Sequence, residues 1–118
     1  MPTIFSRTGR PQSYGTISPT ELETRLRGGE RLRLIDVREQ AEYEIARVEG
    51  AELLPLSRFP EWADRLDPEE ELVFMCHHGI RSAQVCAYLA REGFRKLYNL
   101  EGGIDLWSLE VDASVPRY

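Results

Sequence analysis

The sequence predicts an α/β fold with a mostly parallel sheet, and three observations lead there. Short apolar segments alternate with helical patterns along the chain. The segments ending at Asp36 and Cys76 are apolar on both faces, as strands buried inside a parallel sheet are. Helix-start and helix-stop signals fall between those segments.

Taken in order, residues 1–14 are rich in Pro, Ser, Thr, Arg and Gly, which reads as an N-terminal arm ahead of a single domain over 15–118. Gly15 to Ile17 is a short strand candidate. Ser18-Pro19-Thr20-Glu21 then sets a capping Ser, a Pro at the first helical position and a Glu at the third, so a helix starts here. Leu22 and Leu26 supply its apolar face, and Gly28-Gly29 ends it. Leu32 to Asp36 is the next strand. Glu39 to Ile45 is a short helical pattern with Ala41 and Ile45 four apart, and Ala51 to Leu54 is a strand stopped by Pro55. A helix over 57–66 carries Phe59, Trp62 and Leu66 at helical spacing, with Pro60 in its first turn. Asp67 to Glu71 is a solvated turn before the most apolar strand, Leu72 to Met75. Ser82 to Glu92 is helical, with Val85, Cys86, Leu89 and Ala90 on one face, and Gly93 closes it. Lys96 to Leu100 is the last strand, Ile104 to Leu109 the last helix, and 110–118 a tail.

Composition narrows the function. A chain of 118 residues should bury roughly two-thirds of its unfolded surface, enough to fold without a disulfide staple. Its 20 acidic and 15 basic side chains leave a net charge of -5, which disfavours broad nucleic-acid binding. The Arg25, Arg27, Arg31 and Arg33 stretch reads as a solvated face. No apolar run approaches the ~20 residues that span a bilayer, so no membrane segment is expected. The start, Met1-Pro2-Thr3-Ile4-Phe5, has no secretory pattern, so the expectation is a reducing cytoplasm with both cysteines as thiols.

Both histidines and one of the two cysteines fall in one segment, Cys76-His77-His78-Gly79-Ile80-Arg81-Ser82, between a buried strand and a helix. In a parallel sheet the ligand crevice lies beyond the carboxyl ends of the strands. A loop curled round Cys76 would aim backbone N–H groups and a helix N-terminus at its sulfur and stabilise a thiolate. Gly79 permits the turn, and Arg81 adds a fixed charge with a forked donor for an anionic group or for bracing loop carbonyls. His77 and His78 either bond an incoming substrate or sit at the rim. Adjacent residues do not easily converge on one metal, so no metal site is expected. Cys86, inside a helix, reads as core.

In these residues the chain resembles the rhodanese-like sulfurtransferases. The matching pieces are Leu34-Ile35-Asp36-Val37-Arg38 with Glu42-Tyr43, Glu49-Gly50-Ala51, the loop Cys76 to Ser82, and Tyr98-Asn99-Leu100-Glu101-Gly102-Gly103-Ile104 with Trp107. The resemblance implies a three-layer fold whose five-stranded, mainly parallel sheet is flanked by helices. It implies Cys76 as the nucleophile that takes a sulfane sulfur from a donor such as thiosulfate and passes it to cyanide, a thiol or a protein. His77, His78, Gly79, Ile80, Arg81 and Ser82 would then bind the substrate, with no cofactor. The ending 110–118 is similar to that of rhodanese domains fused behind enzymes that adenylate sulfur-carrier proteins, which makes such a carrier a candidate acceptor. The family's usual Gly-His-Ile is replaced by Ala46-Arg47-Val48, which touches packing more than chemistry. Asp36 and Arg38 read as a structural ion pair that could also brace the loop, and Trp62 and Trp107 as core or pocket wall.

Two other functions compete. A cysteine phosphatase or arsenate reductase uses a similar loop but places five residues between Cys and Arg, whereas four stand between Cys76 and Arg81. A protein-interaction module relaying sulfur to a carrier would use the same Cys76 and the tail for docking.

Overall fold

The computed structural model describes residues 14–118. The arm expected over 1–14 lies outside the described residues except for Tyr14, which packs partly buried against the core. Five strands form one sheet: β1 (Gly15–Ile17), β2 (Arg33–Asp36), β3 (Glu52–Leu53), β4 (Leu72–Met75) and β5 (Leu97–Leu100). Their order is β1-β5-β4-β2-β3 and every pairing is parallel. The helices are α1 (Pro19–Arg27), α2 (Gln40–Ile45), α3 (Phe59–Trp62), α4 (Ile80–Arg91) and α5 (Gly103–Glu110).

Strand alternation makes three layers. On β4, Val73 and Met75 join a core with Leu22 of α1 and with Ile104 and Trp107 of α5. Leu72, Phe74 and Cys76 point the other way, into a core with Trp62 of α3 and with Val85 and Leu89 of α4. All four β4 residues are fully buried, and each such side chain contributes about 1.5–3 kcal/mol of transfer free energy. Because β4 is bonded on both edges, by β2 and by β5, its carboxyl end opens at the middle of the sheet. Cys76 stands there.

The α1 start is as read: Glu21 N donates to Ser18 Oγ at 3.1 Å and Pro19 occupies the first turn. Two expectations need correction, the helices over 57–66 and 82–92, whereas the short helix read over 39–45 is α2, with Ile45 55% exposed and no residue of α2 buried. The chain leaves α2 in extended form, and Ala46 and Val48 enter the core instead. The helix over 57–66 is a 3-10 turn, the four-residue α3 and a second 3-10 turn. Pro60 lacks the N–H that a continuous helix needs, and Trp62 Nε1 donates to Pro55 O at 2.8 Å, pinning the segment across its own start. Finally, α4 begins at Ile80, not Ser82, because Gly79 takes φ 102° and the helix winds directly from it.

Candidate active site

Cys76 follows the last residue of β4 and is 1% exposed. Its Sγ accepts from Gly79 N at 3.1 Å and Ser82 N at 3.4 Å, with Ser82 Oγ at 3.3 Å. The sulfur therefore sits at the positive end of α4, where N–H donors and the helix dipole favour an anion. The early start of α4 matters here, since it places Ser82 in the first turn with its N–H unclaimed by the helix. Ser82 Oγ also donates to Asn99 Oδ1 at 2.5 Å, and one hydroxyl proton serves only one acceptor at a time. Asn99 Nδ2 in turn donates to Gly79 O at 3.0 Å, so β5 braces the loop from beneath.

The loop's first carbonyls are held by α5. Ile104 N donates to Cys76 O at 2.9 Å and Asp105 N to His77 O at 3.2 Å. This approach requires Gly103: a Cβ there would collide with both carbonyls, and its φ is +59°. Gly103 and Asn99 belong to the segment that carries the family resemblance, but only the fold shows what they do.

The loop side chains divide. His77 lies between two rings, stacked on His78 at 3.9 Å and 28° and on Tyr118 at 3.9 Å and 6°. Its Nε2 is buried without a partner among the described residues. Ile80 points outward, 72% exposed. Arg81 forms a bidentate pair with Glu42 of α2, at 2.7 and 2.9 Å. The bonds from Arg81 come first among the causes that hold the Glu42 carboxyl at about 2, against burial, which pushes it up; the Arg81 guanidinium is raised in turn. The charge offered by Arg81 is thus matched by a carboxylate, and the guanidinium braces the loop against α2. Nothing local in the sequence pairs residues 42 and 81.

Asp36 and Arg38 form a fully buried ion pair, with 2.6 Å between Arg38 Nη2 and Asp36 Oδ2. Arg38 also donates to the carbonyls of Ala46 and Glu42 and to Tyr118 Oη. Burial opposes its charge, and the bonds to Asp36 and Tyr118 more than restore it. Burying both charges is tolerable because the planar fork is satisfied on every side. The pair is structural, and through Tyr118 it reaches the loop. Arg47, where the family has histidine, lies over the Tyr43 ring at 5.2 Å. Trp62 and Trp107 are core residues, 6% and 7% exposed.

The reasoning that adjacent histidines do not converge also needs correction. His77, His78 and Asp105 bring possible ligand atoms within 4.8 Å of one another. The two imidazoles are stacked, with centroids 3.9 Å apart and planes at 28°. Asp105 is already engaged by Arg117 at 2.8 Å, which holds its carboxyl below the usual range.

A buried cysteine at the carboxyl end of the central strand, ringed by amide donors at a helix start, defines a cysteine-centred α/β domain. Residues 18–110 match the rhodanese-like domain family, and the chain belongs to it. It is 44% identical over 90 residues to Rhodanese-like/PpiC domain-containing protein 12, chloroplastic, of Arabidopsis thaliana, covering 73% of this chain and 30% of that protein. It is 39% identical over 95 residues to the putative sulfurtransferase YtwF of Bacillus subtilis, covering 80% of this chain and 91% of that one. The chain thus spans under a third of the first relative and most of the second. A solved rhodanese-like domain protein from Staphylococcus aureus superposes with a TM-score of 0.75 at 27% identity, covering 88% of this chain and 98% of that one. The five-stranded parallel sheet with flanking helices is the expected architecture.

Proposed function

We propose that this chain is a sulfurtransferase that works through a Cys76 persulfide. The Cys76 thiolate attacks the outer sulfur of a donor such as thiosulfate; a new S–S bond forms, the donor's S–S bond breaks, and sulfite leaves with the bonding pair. An acceptor nucleophile then attacks the terminal sulfur of the persulfide. With cyanide, thiocyanate forms and the thiolate returns; a thiol or a protein acceptor takes the sulfur in the same way. No cofactor is needed, because each step is a displacement at sulfur.

The observation that carries this reading is the set of donors on Sγ. Gly79 N–H and Ser82 N–H are fixed before reaction and stabilise the anion at no cost of reorganisation. The name of the Bacillus subtilis relative supports the same reading. The bidentate Glu42–Arg81 pair favours it over a phosphatase or arsenate reductase, whose Arg must face a tetrahedral oxyanion. The domain is proposed to run over 15–118, since Val115 is buried in the core beyond the matched span. Free thiols at Cys76 and Cys86 fit a reducing, cytoplasmic setting. A relay to a sulfur-carrier protein is the second reading, favoured by the tail resemblance and by the contact of Tyr118 with the loop.

The test is turnover of thiosulfate and cyanide by the pure chain. Thiocyanate released in proportion to enzyme supports the proposal; a folded chain that releases none contradicts it.

A further inference from the structure

The tail returns to the site. Val115 is buried, Ser108 Oγ donates to Val115 O at 2.6 Å, and Arg117 pairs with Asp105. These anchors deliver Tyr118 to the rim of the loop. There its ring lies flat on His77, and its hydroxyl accepts from Arg38 Nη1 at 2.9 Å and donates to Glu42 Oε2 at 2.8 Å. The Glu42 carboxylate that bonds Tyr118 also holds Arg81 of the loop, at 2.7 and 2.9 Å.

Cys76 is 1% exposed, and the neighbouring His77 Nε2 is buried with no partner among the described residues. A partner admitted to the rim would satisfy that ring nitrogen. The residue that must shift for such a partner to reach His77 on its Tyr118 face is Tyr118 itself, held by stacking and two hydrogen bonds rather than by core packing.

We propose that Tyr118 is a specificity-determining residue of this site: its ring walls the approach to Cys76, admitting small sulfur acceptors and slowing bulky thiols until it moves off His77. The proposal rests on the sulfur-transfer reading above, and it adds that acceptor size is sensed by one tail side chain.

The experiment uses the full chain, Tyr118→Ala and Tyr118→Phe, each checked for folding by near-ultraviolet circular dichroism. Each is loaded with thiosulfate, the added sulfur is confirmed by intact mass, and discharge rates are measured with cyanide and with glutathione. The ratio of the glutathione rate to the cyanide rate should rise about fivefold or more in Tyr118→Ala, as expected for removing a steric sieve. Tyr118→Phe keeps the ring but frees it from Arg38 and Glu42, so its ratio should rise about twofold. A second readout needs no sulfur transfer: alkylation of the Cys76 thiol by iodoacetamide against a fluorescein maleimide, whose rate ratio should shift the same way. Ratios unchanged in a folded Tyr118→Ala overturn the proposal; should that variant fail to fold, unchanged ratios in Tyr118→Phe do so. A wild-type chain that never loads sulfur overturns the sulfur-transfer reading, while the alkylation ratios still decide the role of Tyr118.

Discussion

Cys76 and Cys86 are both free thiols and almost equally sealed, at 1% and 0% exposed, yet their surroundings oppose each other. Cys76 Sγ meets two backbone N–H groups and a hydroxyl at the start of α4. Cys86, inside the same helix, is packed among Trp62, Val85 and Leu89, and burial pushes its thiol up to about 12. The two thiols thus share burial and differ in the donors that surround them.

The largest test of that contrast removes each sulfur. Cys76→Ser should abolish measurable transfer, whereas Cys86→Ser should keep more than about half of it, while losing about 1–3 kcal/mol of stability for a hydroxyl in an apolar site. Equal loss in both would mean that the donors around Cys76 are not the distinguishing feature. Next, Gly103→Ala drives a methyl group into the carbonyls of Cys76 and His77. We expect about tenfold or greater loss of kcat/KM, with about 2 kcal/mol or more of stability, because the loop loses its seat on α5. Unchanged kinetics would show that α5 does not position the loop.

Ser82→Ala removes a hydroxyl shared by Sγ and Asn99 while keeping the Ser82 N–H. A loss of about tenfold in kcat is expected, below the hundredfold or more of a dedicated oxyanion donor, because the two N–H groups remain. The smallest effect concerns Glu42. Its carboxyl is held at about 2 in the folded chain against an ordinary 4.5, so the fold favours the anion. That contribution is complete above about pH 4.5 and fades as pH falls through 2. Urea unfolding of Glu42→Gln should show about 1–2 kcal/mol less stability than wild type at pH 7, after discounting for solvent screening, with the gap closing toward pH 2. A gap that stays constant with pH would mean that the Arg81 pairing is not its source.

The fold was legible where local chemistry decides. Ser18-Pro19 and Gly28-Gly29 bracket α1 by capping, and the doubly apolar Leu72 to Met75 announces the central strand. The site was legible as far as Cys76 and its loop, because strand, Gly and helix follow one another in sequence. Periodicity found α2, whose Glu42 reaches Arg81, but it read the 57–66 segment as one helix where Pro60 and two 3-10 turns break it. The remaining partners join residues far apart in the chain, as when Glu42 meets Arg81 and Tyr118 meets Arg38, and no local pattern encodes such a meeting. The loop histidines show the same limit. Neighbours in sequence, they stack on one another, and Tyr118 from the tail adds a third ring against His77.

The central claim is that sulfur is carried on Cys76 and nowhere else. After incubation with thiosulfate, the intact mass of the wild-type chain should rise by one sulfur atom, and peptide fragmentation should place it on Cys76, with Cys86 unmodified. Cyanide should return the original mass. A stable added sulfur on Cys86, or a Cys76→Ser chain that still gains one, would contradict the account.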